Sequence, residues 1–294
     1  MATSLSFSAI FAFFLALGGS MGIPMGFPPG PEDPMMARLA PEDCLIYASW
    51  SGVAETDGDA NPTEKWLSQP KSSKMLGKLR KAYRGYLLNQ FEHVDEKVIK
   101  IANKLMIEVV DVASVQPTAF YLDDVEIVEG STVKPHHGAF VIKLGDHEDT
   151  VVGLLDEFFR EFELLKEPAS HYAFEAEEVD GQRVLKISTG PNDVTMKVIV
   201  RDGYFIIGLG EGALDQVAKN MATEAPAWLT QLRQRLKVER ISSVSYVNVK
   251  TFELFEHILA EDWVWPSSEL RLSKGVQSIG WVTGVDKKGF LARD

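Results

Sequence analysis

Three stretches of this chain carry residue types at spacings that could do chemistry. Gly208-Leu-Gly210-Glu-Gly212-Ala213 matches the G-x-G-x-x-G/A pattern, in which a backbone turn meets a pyrophosphate at the positive end of a helix. Asp57-Gly-Asp59-Ala-Asn61 opens like a calcium loop, D-x-D-x-N. His136-His137 and Asp146-His147-Glu148-Asp149 hold metal-ligand types. Each lacks something its chemistry needs. The glycine pattern ends a run of hairpins instead of opening a βαβ unit. Where an acid should meet a ribose, about twenty residues on, the chain reads Ala225-Pro-Ala-Trp-Leu. Glu211 also sets a carboxylate where phosphate should lie, so the expectation is a flexible strand-to-helix turn. The calcium loop has Pro62 at its sixth position, where a glycine must turn, and Ser68 at its twelfth, where a bidentate glutamate is needed. Asn61 as N-cap, Pro62 at N1 and Glu64 at N3 give a local account, a helix start. If 138–144 is a strand, its length sets the two histidine clusters about 20 Å apart or more, too far to share one ion. Asp146 then reads as an N-cap, with Asp149 favoured by the helix dipole.

Two charged groups remain. Glu175, Glu177 and Glu178 are scattered carboxylates of the kind an acid/base hydrolase would use, and equally the solvent side of an alternating strand. Lys71, Lys74, Lys78, Arg80, Lys81 and Arg84 place six cations in fourteen residues without an acid. On a helix Lys74, Lys78 and Lys81 share one face, opposite Met75, Leu79 and Tyr86. That face suits an anionic partner (a lipid head group, a polyanionic glycan or an acidic protein face) or a solvated surface pairing with the protein's own acids. Trp263-Val-Trp265-Pro offers aromatic platforms for a sugar ring, or core packing. No HExxH, CxxC, Gly-x-Ser-x-Gly or P-loop pattern occurs. The sequence therefore assigns no catalytic, cofactor-binding or metal residue.

The firmest clue is an address. Residues 5–17 form an apolar run with no charged side chain before Glu32. Thirteen residues make the hydrophobic part of an export signal, whereas a spanning helix takes about 20. Gly18, Gly19 and Ser20 suit a signal peptidase, and 21–31 is Gly/Pro-rich. No Lys or Arg precedes the run, so an uncleaved membrane anchor is the alternative. Cys44 follows Leu39-Ala-Pro-Glu-Asp, which is no lipoprotein box, and as the only cysteine it excludes an internal disulfide. It reads as a small buried hydrophobe. The net charge of −12 argues against broad nucleic-acid binding and against attachment to an anionic membrane surface. Membrane contact is expected only through the N-terminal segment.

The elements that would position these residues follow from periodicity. A strand is expected at 44–51, a polar loop at 55–61, and helices over most of 62–112. Strands are expected at 118–123 and 138–145, and an amphipathic helix at 150–167. From 171 the period becomes two. Asp180-Gly181, Gly190-Pro-Asn-Asp and Arg201-Asp-Gly punctuate a four-strand antiparallel meander, one face on the core and one toward water. Helices near 213–221 and 227–236 come next, then strands at 243–249 and 275–282. The fold class is α+β, an antiparallel sheet with segregated helices.

A short repeat runs through this plan. Leu45-Ile-Tyr-Ala-Ser-Trp parallels Val244-Ser-Tyr-Val-Asn-Val, and Val115-Gln-Pro-Thr-Ala-Phe-Tyr parallels Val276-Gln-Ser-Ile-Gly-Trp-Val. The expectation is a duplication with an incomplete second copy, as in a fragment of a longer protein. The domain plan is a signal at 1–22, a Gly/Pro-rich tether at 23–38 and an α+β unit at 39–240. Residues 241–294 begin a second unit or complete the first. Through Leu39-Ala-Pro-Glu-Asp-Cys-Leu-Ile-Tyr-Ala-Ser-Trp-Ser, Phe140-Val-Ile-Lys-Leu-Gly and Gly203-Tyr-Phe-Ile-Ile-Gly-Leu-Gly-Glu-Gly-Ala-Leu, the chain resembles exported bacterial proteins of unknown function. Those proteins carry an N-terminal signal, a Pro-rich tether and repeated α+β units. The resemblance implies a place in the envelope and no catalytic residues. The functional expectation is a periplasmic or envelope protein, a non-catalytic structural or interaction module. The alternative is an exported hydrolase working through carboxylates.

Overall fold

The computed structural model describes residues 26–72, 74–75, 77–78, 96–128, 132–163, 173–188, 195–248, 250–251 and 276–294. The apolar run at 5–17, Lys81 and Trp263-Val-Trp265 lie outside the described residues.

Helix α1, Pro34–Arg38, starts on Asp33, whose carboxylate accepts from the Met35 amide at 3.0 Å. Strand β1, Ile46–Trp50, is buried along its whole length. Helix α2, Pro62–Leu67, begins as expected, with Asn61 accepting from the Thr63 and Glu64 amides and Pro62 in the first turn. Helix α3 is Glu96–Ala113, and strands β2, Thr118–Val128, and β3, Thr132–Lys143, make a long hairpin. A single 3-10 turn, Gly145–His147, leads into helix α4, Glu148–Glu163. Asp146 is not its cap. The residue before that turn is Leu144, and no side chain caps it; the acids Glu148 and Asp149 sit in the first helical turn.

The meander is β4, Ala173–Val179, β5, Gln182–Ser188, β6, Thr195–Arg201, and β7, Tyr204–Leu209. Two of its turns have paired positive φ, Asp180 and Gly181 at 51° and 75° and Asp202 and Gly203 at 52° and 80°. Those are the dihedrals of a two-residue hairpin loop whose twist matches its strands. Helices α5, Ala213–Met221, and α6, Ala227–Arg235, precede β8, Arg240–Asn248. A final hairpin joins β9, Ser278–Asp286, to β10, Gly289–Arg293. All ten strands pair antiparallel in one open sheet, ordered β10-β9-β8-β1-β2-β3-β7-β6-β5-β4. The class is α+β.

Both faces of the sheet are covered, which corrects the one-sided meander. One core joins Trp50, Phe120, Phe140 and Phe205 to Ile101, Leu105, Phe158 and Phe159 of α3 and α4. The other joins Tyr47, Tyr121, Val141, Ile199 and Ile206 to Met36, Leu214, Val217 and Leu229 of α1, α5 and α6. Consecutive apolar residues such as Val198-Ile199 and Phe205-Ile206 mark strands buried on both sides. The expected tether stretch is part of this packing from Gly26 onward. Phe27 is buried with Leu67 and Val285, Glu32 pairs with Arg233 at 2.7 Å, and Asp33 pairs with Lys143 at 3.0 Å.

Strands β1 and β8 lie side by side with Tyr47 opposite Tyr246, the two tyrosines matched by the sequence repeat. Each is flanked on its outer side by a hairpin, β2–β3 or β9–β10. Trp228 of α6 covers the seam, stacked on Tyr246 at 4.2 Å and edge-on to Tyr47 at 5.8 Å.

Candidate functional site

Register across the meander decides what the glutamates do. Glu175 lies opposite Lys186, Lys186 opposite Lys197, and Lys197 opposite Gly208. The turn after β7 lowers Glu211 onto this row, where its carboxylate sits 3.2 Å from each lysine. Glu177 adds contacts of 3.4 and 3.3 Å to the same two ammonium groups, and Glu175 one of 3.8 Å to Lys186. Thr195 donates its hydroxyl to Glu211 at 3.3 Å. A hydrogen bond to Glu211 raises Lys186 above the ordinary lysine range. Partial burial pushes Glu211 up, but the hydrogen bonds from Lys186 and Lys197 outweigh it and hold the carboxyl below its usual range. General acid catalysis needs the reverse, a carboxyl kept protonated. Glu178 falls on the other side of the strand by alternation. The three meander glutamates do not converge on one point.

The glycine motif is explained by clearance. Gly210 has φ of 98°, and a Cβ there would collide with the His136 carbonyl of β3. A Cβ on Gly212 would lie 3.3 Å from His137 Nε2, and one on Gly208 2.9 Å from Ala213 Cβ. The glycines let α5 fold back against β3, and the Glu211 carboxylate is taken up by Lys186 and Lys197.

The histidines are separated, each with its own acid. His147 Nδ1 is 2.9 Å from Glu108, His136 Nε2 3.3 Å from Glu126, and His137 Nδ1 3.9 Å from Asp123. His136 and His137 lie within β3, which starts earlier than the expected 138. No group of three or more potential ligands is placed to hold a metal among the described residues. In the Asp57 loop, Glu64 is fully buried. Its carboxylate accepts from Asn61 Nδ2 at 2.8 Å, from Arg240 at 2.7 Å and from the Asp57 amide at 3.2 Å. Arg240 also donates to the Pro29 carbonyl at 2.7 Å, so one guanidinium ties α2, β8 and the N-terminal strap together.

Sequence reasoning missed Asp123. It sits where the β2–β3 register shifts, at the same strand parity as Ala119 and Tyr121 of the α5-side core. Its Oδ1 is buried without a hydrogen-bond partner, as is the Tyr121 hydroxyl. Burial pushes the Asp123 carboxyl up to about 6, with His137 partly opposing the rise. Burial, then the nearby Asp123 charge, raises the Cys44 thiol and the Tyr121 hydroxyl as well. An acid at the same parity as Ala119 and Tyr121 was the available signal. The group can hold and release one proton near pH 6, and among the described residues it touches no second acid/base partner at hydrogen-bond distance.

Of the basic run, Lys71, Lys74 and Lys78 are helical and exposed, and Lys81 lies outside the described residues. Met75 does not face a core: it is 44% exposed, and Trp66 45%. Phe290 of β10 meets Phe27 edge-on at 5.7 Å, and its amide donates to Thr63 Oγ1 in the first turn of α2 at 3.0 Å. Comparison with protein-family models, with curated proteins and with solved structures gives no match to this chain. Function is read from the geometry alone.

Proposed function

We propose that the chain is an exported periplasmic or envelope protein, a non-catalytic structural or interaction module, held near a membrane by its N-terminal segment where that segment is not cleaved. The observation that carries the non-catalytic reading is the lysine ladder. Glu175, Glu177 and Glu211 surround Lys186 and Lys197, and hydrogen bonds from both lysines hold the Glu211 carboxyl below its usual range, so two of the three carboxylates that the hydrolase alternative names are engaged as ion-pair partners in the sheet. Export rests on the apolar run at 5–17. Duplication belongs to the same proposal and rests on the sequence match alone; Tyr47 and Tyr246 face each other across β1 and β8, while the second hairpin is offset by two residues from that match, since Gly280 rather than Val282 faces Tyr246.

The full chain with a C-terminal tag, expressed in a Gram-negative bacterium, tests this by fractionation, sequencing of its N-terminus and assay against esters, glycosides and peptides. The expected result is envelope recovery, with the N-terminus cut near 18–20 or intact and membrane-held, and no turnover. Recovery as an intact soluble cytoplasmic protein, or turnover abolished by Glu177→Gln, overturns the reading.

A further inference from the structure

We propose that the corner built from α2, the helical residues 70–72, 74–75 and 77–78 and the β9–β10 hairpin docks on an anionic lipid surface. This rests on the tethered reading above and gives it a binding face. Among the described residues four large hydrophobic side chains are exposed, and three of them, Trp66, Met75 and Phe290, are in this corner. Around them the exposed cations Lys65, Lys71, Lys74 and Lys78 have no carboxylate partner among the described residues, and the exposed Lys287 and Lys288 cap the hairpin beside Thr63. At 100° per residue, Lys71, Lys74, Met75 and Lys78 fall within about a 100° arc. Apolar tips set among lysine ammonium groups match the interfacial layer of a bilayer, where acyl boundary and anionic head groups lie within one side chain's reach. A polyanionic glycan would satisfy the lysines and leave Met75 and Phe290 unused.

The N-terminal strap places the tether at the same corner. Gly26 accepts from Ser242 Oγ at 2.8 Å, and Phe27 packs between Leu67, Val285 and Phe290. Only residues 18–25 separate Gly26 from the apolar run. Eight residues reach at most about 28 Å. A segment held in a membrane therefore keeps this corner within about 28 Å of the lipid. The overall charge of −12 opposes attachment of the chain as a whole, but at contact the potential is set by charges within about a Debye length, roughly 8–10 Å, where this corner presents lysines.

The test uses the full chain labelled with an environment-sensitive fluorophore at Met75→Cys, and in a second protein at Val152→Cys. Val152, on α4, is the remaining exposed large hydrophobic among the described residues. Cys44 is buried with a raised thiol and stays unlabelled. With vesicles containing phosphatidylglycerol, the label at 75 is expected to shift to the blue and brighten, and the label at 152 to stay unchanged. Lys71→Gln, Lys74→Gln and Lys78→Gln together should weaken the response roughly 100-fold, about fivefold per lysine. Co-sedimentation with both phosphatidylglycerol and phosphatidylcholine vesicles while the label at 75 stays silent would overturn the docking face and leave the tether standing. Failure to sediment with either vesicle would overturn both. A stronger response to a soluble polyanionic glycan than to vesicles would assign the corner to a glycan and overturn the lipid proposal.

Discussion

At the meander end of the sheet Lys186 is held by three carboxylates and Lys197 by two, all within 4 Å, while at the β8–β10 end Lys65, Lys71, Lys74 and Lys78 have none among the described residues. Both ends are rich in lysine and aliphatic side chains. The first spends its charge inside the sheet, where register stacks Glu175, Lys186 and Lys197 in a row and an edge strand bearing glutamates resists pairing with another chain. The second turns its charge outward, beside exposed aromatic rings and the strap that leads to the N-terminus. One net charge for the whole chain conceals this, and a partner responds to the local arrangement.

Three substitutions break or sharpen the contrast. The corner depends on Arg240, which reaches the fully buried Glu64 carboxylate and the strap carbonyl of Pro29. Arg240→Met leaves that carboxylate without its countercharge and should cost about 3 kcal/mol in urea unfolding. Recovery of most of that loss in the Arg240→Met, Glu64→Met double variant would show that the penalty lies in the stranded charge.

Between the two ends lies Asp123, titrating near 6 when folded against about 4 when unfolded. The folded state holds the additional proton between those values. Its contribution is therefore complete below about pH 4 and is lost as pH rises through 6. Asp123→Asn should unfold like the native chain at pH 4 and about 1–2 kcal/mol later at pH 7.5, a figure reduced because the side chain retains some contact with solvent. An equal gain at both pH values would contradict the raised carboxyl.

The smallest effect belongs to the ladder. Lys186→Gln removes a partly exposed cation from a network in which Lys197 still holds Glu177 and Glu211, so less than about 1 kcal/mol should be lost by thermal melting. A loss several times larger would mean that the meander end is no less dependent on its charges than the Arg240 corner.

Local chemistry was legible in the sequence. Asp180-Gly181 and Asp202-Gly203 announced their turns because few other pairs tolerate two positive φ values in succession. Asn61, Pro62 and Glu64 announced a helix start for the same local reason. What stayed hidden is set by parts of the chain far apart. Glu64 and Arg240 are 176 residues apart, and nothing near either predicts the other. Asp123 is buried beside His137 of the next strand, and Met75 is exposed because the cover that its periodicity implied is absent among the described residues. The β10 hairpin escaped notice because its loop, Lys287-Lys288, carries no Gly or Asn, and the glycine that follows belongs to the strand. Asp146 failed as a cap because α4 begins through a 3-10 turn.

On this proposal the two lysine-bearing ends differ in what they meet, one the carboxylates of its own sheet and the other anionic lipid. Partition of the full chain between buffer and phosphatidylglycerol vesicles at low and high salt tests it directly, using the native protein, the Lys71→Gln, Lys74→Gln, Lys78→Gln variant and a Lys186→Gln, Lys197→Gln variant. Binding should fall roughly 100-fold in the first variant and remain within about twofold of native in the second, with the difference vanishing in high salt. Equal losses in both variants, or none in either, would contradict the account.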